Sequence, residues 1–421
     1  MENKWLIIIS SYSYYQNNQR PPLVFIEIEG TLNNDTTCMF YGHFDKQPHF
    51  TGWKEGLAPT EPVIRDGYLF GRGSVDDGYA AFSTITCIRT LQNLGIPHPR
   101  CVITIEGEEE SGSEHYMSYI EELKEKIGQP SLIFCLDSGC LDYKTLWITS
   151  SLRGYIDGNL TVSVAQQGVH SGASSGLIPS SFRIIRQILD RFEDSKTGQV
   201  HENYHVKIPP HRYEECYKVA DQLGDKIYNQ FPYFENTQPV TKNNLEGYLN
   251  NTWRPTISYI GADGMPPTQT AGNVLRPYTT IGVSMRTPPT LPSKEKAKEF
   301  KELVESNPPY NATVKYDLID AGNGWDAPKY LDFLNESIQQ AANTFFGQDY
   351  KSQGMGGSIP LMNELQNIFP KAQFLVTGCA GPDTNSHGPN ECLNLDYLKK
   401  IICCMTKIIA DSELYGAQFP K

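Results

Sequence analysis

Four short β-rich runs, LVFIEIEG (23–30), TTCMFYG (36–42), CVITIEG (101–107) and SLIFCLD (131–137), alternate with two helical stretches, DDGYAAFSTITCIRTLQNLG (76–95) and EHYMSYIEELKEKIG (114–128). Runs this short and apolar, spaced by helical segments, close a core as a mostly parallel sheet with helices over its faces. Glycines behind the runs act as strand stops. Beyond residue 152 the style changes. YIDGNLTVSVAQQ, YTTIGVSMRTPP and YNATVKYDLI alternate apolar with polar residues, the mark of an antiparallel sheet with one wet face. The first style returns with the helical PKYLDFLNESIQQAANTFFG and the strand KAQFLVTG. At 421 residues the chain exceeds one simple core. The expectation is therefore an α/β domain over residues 1–152 and 323–421, interrupted by an inserted α+β domain over 153–322.

In an open α/β sheet, ligands bind outside the carboxyl ends of the strands. Those ends carry His43 and Asp45, then Asp76 and Asp77 in GRGSVDDG, Glu108, Glu109 and Glu110 after CVITIEG, Asp137 after SLIFCL, and His387 in DTNSHGPNE. Each alone has an ordinary reading as a turn former, a helix cap or a solvated helix start. Together they crowd negative charge onto one edge, which is tolerated when the acids are protonated or bound to cations. Two histidines, several carboxylates and no thiolate suit zinc, with manganese or cobalt as alternatives.

Composition narrows the partners. The 48 acidic and 36 basic residues give a net charge of −12, which argues against nucleic acid and against an anionic membrane surface. Ten cysteines without a C-x-x-C spacing fit reduced, mostly buried thiols rather than a disulfide framework. The one strongly apolar N-terminal run, WLIII (5–9), is too short for a signal peptide or a membrane span. A cytoplasmic location is expected.

Six motifs in order, GHFDKQP, GRGSVDDG, EGEEESGS, CLDSG, GVHSG and NSHGPNE, make the chain from about Leu23 onward resemble the cytosolic nonspecific dipeptidase and carnosinase family. That family is similar to carboxypeptidase G and to the acetylornithine and succinyl-diaminopimelate hydrolases. The resemblance implies two zinc ions per chain. His43, Asp76 and Asp137 would hold one, and Asp76, Glu110 and His387 the other, with Asp76 bridging. Asp45 would be the carboxylate that fixes the His43 imidazole, and Glu109 the general base on the bridging water. A cis peptide is implied between Asp76 and Asp77.

The resemblance makes the inserted domain a lid and dimerisation domain. His170 of GVHSG would polarise the scissile carbonyl from the partner subunit. Asn273 and Arg286 would hold the substrate backbone and its carboxylate, with Gly357 and Ser358 of GGSIP supplying donors to the same group. The implied activity is metal-dependent hydrolysis of the amide bond in dipeptides or short peptides with a free C-terminal carboxylate, by a homodimer. Alternatives are an N-acyl amino acid deacylase or desuccinylase of the same chemistry and, less favoured because Glu109 is present, an inactive metal-binding scaffold. The chain departs from the family's pattern at its N-terminus, where a helical segment is usual, at Tyr79, where Lys-Gly commonly follows the paired aspartates, and around DSGC. None of these removes a ligand or the base.

Overall fold

The computed structural model describes residues 11–17, 20–32 and 35–420; the WLIII run lies outside them. Two compact units result: Met1–Ser150 with Ala327–Gln353 and Glu364–Lys421, and Ser151–Asp326 with Gly354–Asn363.

The first unit holds a six-stranded sheet in the order Ser11–Asn17, Arg20–Ile28, Arg100–Glu106, Thr37–His43, Leu132–Cys135 and Gln373–Val376. Its last four strands are mutually parallel. Arg20–Ile28 and Ser11–Asn17 are added antiparallel at one edge. The mostly parallel sheet expected from the runs is thus present, and the unusual N-terminal stretch supplies an edge strand. Thr37–His43 is buried at every position, as a strand covered on both faces must be, and Phe40 stacks on Phe134 of the neighbouring strand with ring centroids 4.7 Å apart. The helix Tyr79–Leu94 buries Ala80, Ser83, Thr84, Cys87, Ile88 and Leu91, the three-and-four spacing of one helical face. It ends where Gly95 takes a left-handed φ of 65°. All ten cysteines are free, and all but Cys403 are buried.

The second unit is built on an antiparallel sheet in the order Thr256–Asp263, Tyr278–Thr287, Gly154–Ser163 and Thr313–Gly322. Gly154–Ser163 alternates strictly between buried and half-buried residues. Ile156, Leu160 and Val162 face a core with Ile184, Ile188 and Phe300; Tyr155, Asp157 and Asn159 take the wetter face. One boundary differs from the sequence expectation, since Gly354–Asn363 packs with this unit. The reason is local hydrogen bonding: the Tyr248 hydroxyl donates to Gly354 O at 3.0 Å and the Arg153 amide to Gly357 O at 3.2 Å. Among the described residues, no helix is long and apolar enough to cross a membrane.

Candidate metal centre

The carboxyl ends of parallel strands of the first unit place His43, Glu109, Glu110 and Asp137, and His387 lies in the loop beyond Gln373–Val376, whereas Asp76 and Asp77, expected at a strand end of the same sheet, lie between Tyr68–Phe70 of a separate three-stranded antiparallel sheet and the helix Tyr79–Leu94. His43 closes its strand and is 1% exposed. Next to it, Gly42 leaves room for the start of the following helix, since a Cβ there would lie 2.9 Å from both Ala80 Cβ and Asp77 Oδ2. The His43 Nδ1 lies 3.1 Å from the main-chain oxygen of Asp45. A carbonyl only accepts, so Nδ1 carries a proton, and Nε2 is the nitrogen that faces the cluster.

Asp76 stands at the middle. Its Oδ1 is 3.1 Å from His43 Nε2 and its Oδ2 is 3.0 Å from His387 Nε2, one oxygen to each side. Asp137 Oδ1 lies 3.8 Å from His43 Nε2, and Glu110 Oε2 lies 3.6 Å from His387 Nε2. Two groups result, His43 with Asp76 and Asp137, and Asp76 with Glu110 and His387; the potential ligand atoms of each lie within 4.8 Å of one another. The Asp76–Asp77 peptide is cis, as the resemblance implied.

The Asp45 carboxylate has a second set of contacts beside the His43 imidazole. It lies 3.4 Å from His43 Nδ1, but its shorter bonds accept the amides of Glu109 at 3.1 Å and Glu110 at 2.9 Å. It thereby clamps the short helical turn Glu109–Ser111 that carries both glutamates. The Glu110 Oε2 accepts from Gln47 at 2.6 Å, while its Oε1 is buried with no hydrogen-bond partner. The carboxylate of Glu109 takes no hydrogen bond or ion pair among the described residues, which leaves it available to a ligand or a proton.

Three supporting contacts were not singled out from the sequence. Glu391, fully buried, accepts the amides of Gly73, Val75 and Asp76 at 2.9, 3.0 and 3.2 Å and pairs with Arg72 at 2.7 Å. Arg72 also donates to Ser386 O and, at 2.8 Å, to Gly388 O, so one buried ion pair fastens the Asp76 loop to both neighbours of His387. The Tyr79 hydroxyl donates to Leu136 O and accepts the Cys379 amide at 3.1 Å, tying down the strand end before Asp137. Gln47 is the third. Arg72, Glu391 and Gln47 stand inside GRGSVDDG, NSHGPNE and GHFDKQP, and Tyr79 directly follows the first of these, but a sequence carries no statement of which loop an acid or a hydroxyl will meet.

The electrostatics describe an acidic pocket short of positive charge. Burial, then the charges of Asp137, Glu110 and Asp76, push the Glu109 carboxyl well above the ordinary carboxylate range, although His43 opposes them. Burial and Asp76 likewise raise Glu110. Burial works against charge on His43, but hydrogen bonds with Asp137, Asp45 and Asp76 outweigh it and hold its pKa far above the usual value. Hydrogen bonding with Asp76 raises His387 as well. The orphaned Glu110 oxygen and the two-sided Asp76 carboxylate match a pair of divalent ions in nitrogen and oxygen ligands.

The other predicted residues lie in the second unit, in two local groups. His170 and Asn273 share a two-stranded ribbon: His170 pairs with Val274, and the Ser171 amide donates to Asn273 O at 3.0 Å. Both side chains are exposed. Arg286 donates to Ser358 Oγ at 2.9 Å and lies over the Tyr155 ring at 5.9 Å, with Gly357 beside Ser358 in the same turn.

Residues 39–411 match the model of peptidase family M20/M25/M40. The chain is 28% identical to the Cys-Gly metallodipeptidase dug1 of Schizosaccharomyces pombe, over 91% of this chain and 82% of that one. It is 25% identical to the cysteinylglycine-S-conjugate dipeptidase of Corynebacterium striatum, over 87% and 79%. Among solved structures, the dipeptidase Dug1p of Saccharomyces cerevisiae superposes with a TM-score of 0.74 at 20% identity, covering 96% of this chain and 86% of that one. With most of its length inside one family and a pocket of shared acid and imidazole ligands, the chain belongs to peptidase family M20/M25/M40 and is a metallopeptidase.

Proposed function

We propose that this metallopeptidase hydrolyses dipeptides at the His43, Asp76, Asp137, Glu110 and His387 cluster, with two divalent ions, zinc best suited to the ligands, and Glu109 as general base. The observation that carries the reading is the Asp76 carboxylate offering one oxygen to each histidine side, beside a Glu109 carboxylate that makes no hydrogen bond or ion pair among the described residues. When bound, the ions supply charge that polarises the scissile carbonyl and makes water more acidic. Glu109 takes the proton of the attacking water as its oxygen bonds to the carbonyl carbon. As the carbon–nitrogen bond breaks, Glu109 passes that proton to the leaving amine. Asp45 pins the amides of Glu109 and Glu110 and so fixes the turn from which one serves as base and the other as ligand.

Arg286 grips the carboxylate of the substrate, and Ser358 and Gly357 complete that grip. Asn273 holds the substrate backbone, and His170 acts on the scissile carbonyl from the partner subunit. Support for a homodimer through the second unit comes from the edge strand Thr256–Asp263, which exposes Tyr259 and Ile260 to 46% and 69%. Nine buried free thiols suit a reducing, cytoplasmic setting.

The test is a screen of metal-loaded protein against dipeptides and against N-acetyl and N-succinyl amino acids. Cleavage of dipeptides is expected; turnover confined to N-acyl amino acids would replace the reading by the deacylase one. Arg286→Lys is expected to raise KM for free dipeptides about tenfold or more, because an ammonium cannot reproduce the planar fork. Amidating the dipeptide is expected to hurt the wild type far more than this variant; equal losses in both proteins would make Arg286 structural.

Sharing of the site between subunits has its own test. Glu109→Gln chains and His170→Ala chains, each inactive alone, are expected to regain about a quarter of wild-type activity when co-expressed. Random pairing makes half of the dimers mixed, and each mixed dimer has one whole site. Mixed dimers shown by tag pull-down to form, yet inactive, would confine catalysis to single chains.

A further inference from the structure

Among the described residues, Arg72 and Arg212 are buried against acids and Arg153 is not. The Arg72 side chain, 3% exposed, pairs with Glu391, and that of Arg212, 7% exposed, pairs with Glu215 and Asp326. Arg153 is 6% exposed and its partners are all neutral. Its Nε donates to Gly356 O at 3.0 Å, and its Nη1 to Thr256 Oγ1 at 3.0 Å and Asn250 O at 3.3 Å. Among the described residues its Nη2 makes no hydrogen bond, and no carboxylate pairs with the group. Arg286, the Cα partner of both Thr256 and Tyr155 in the sheet, is equally without an acid; its contacts are Ser358 Oγ and the face of Tyr155. Burial, and then the charge of Arg286, depress the Arg153 pKa to about 10.

A guanidinium removed from water without a counter-charge is costly, and a second one nearby adds repulsion. An anion that joins them relieves both terms. Arg153 also shapes the turn itself. Its amide holds Gly357 O and its Nε holds Gly356 O, which fixes the Gly356–Ser358 turn to which Arg286 is tied.

We propose that Arg153 is the second guanidinium of a two-arginine cradle for the substrate's terminal carboxylate, positioning the Gly356–Ser358 turn and supplying the charge that selects a free carboxylate over its amide. The inference rests on reading Arg286 as the carboxylate grip and extends it to a residue that no part of that reading needs.

The experiment compares Ala-Gly with Ala-Gly amide for wild type, Arg153→Met and Arg153→Lys, all metal-loaded, with glycine and glycinamide as competing ligands. Wild type is expected to favour the free carboxylate in both KM and inhibition. In Arg153→Met the preference is expected to fall about tenfold or more, the scale for removing a charged hydrogen-bond partner. Arg153→Lys, which keeps the charge and loses the fork, is expected to lie between. If the Met variant does not fold, the Lys variant and the glycine-to-glycinamide inhibition ratio carry the same comparison, and an unchanged ratio there overturns the proposal. Losses equal for acid and amide would make Arg153 only a structural support and also overturn it. A wild-type enzyme indifferent to amidation would instead overturn the carboxylate reading itself, so the two failures are distinguishable.

Discussion

Glu109→Gln is expected to lower kcat of the metal-loaded enzyme by about a thousandfold or more, with metal content and substrate binding little changed. The amide of Gln keeps the size and hydrogen-bonding shape of the side chain and removes its ability to accept and return a proton. The structure makes the separation clean. Among the described residues the Glu109 side chain has no hydrogen bond or ion pair to lose, and its amide stays clamped by Asp45 whichever side chain it carries. Glu110→Gln is the contrasting variant. Its Oε2 lies 3.6 Å from His387 Nε2 and its Oε1 is buried and unpartnered, so this change is expected to weaken metal binding before it touches the chemistry. Metal analysis alongside single-turnover and steady-state rates separates the two. Near wild-type turnover in Glu109→Gln would assign the base elsewhere.

Asp76→Ala is expected to have the largest effect on metal content. Protein purified without chelator is expected to approach two divalent ions per chain, and the variant to lose most of both, because one carboxylate serves both groups. Removing it leaves Asp137 with His43 on one side and Glu110 with His387 on the other, two ligands each where three stood. Elemental analysis and competition against a chromophoric chelator measure the change. Loss of a single ion would show that Asp76 does not bridge, and a folded wild-type protein that takes up no divalent metal in excess zinc or manganese would sink the metal reading altogether.

How much of this was legible follows from the physics of each signal. Strand and helix periods are local properties of the chain, so the parallel sheet, the inserted antiparallel sheet and the helix over Tyr79–Leu94 could be read from runs of residues. His43, Glu109, Glu110 and Asp137 were legible because strand ends in such a sheet share one edge, which turns sequence position into approximate spatial position; the place of Asp76 was not, because the strand before it, Tyr68–Phe70, belongs to a separate antiparallel sheet. The unit boundary at Gly354–Asn363 was not, because it depends on carbonyls of that turn meeting Arg153 and Tyr248, residues more than a hundred positions away. The second set of contacts of Asp45 was not legible either: the nearness of Asp45 to His43 is written in the sequence, whereas its grip on the Glu109 and Glu110 amides exists only once two strands lie side by side.

The sequence by itself determined the order of elements, the edge on which charge collects and the kinds of ligand atoms gathered there, since these follow from local pattern and side-chain chemistry. Tertiary structure alone decided which oxygen of Asp76 faces which histidine, which buried arginine meets an acid and which does not, and how the Arg72–Glu391 pair locks two ligand loops together. Hydrogen bonds and ion pairs act over a few ångströms with directional preference. Those distances are set between residues far apart in the chain, and only the folded chain brings them to contact.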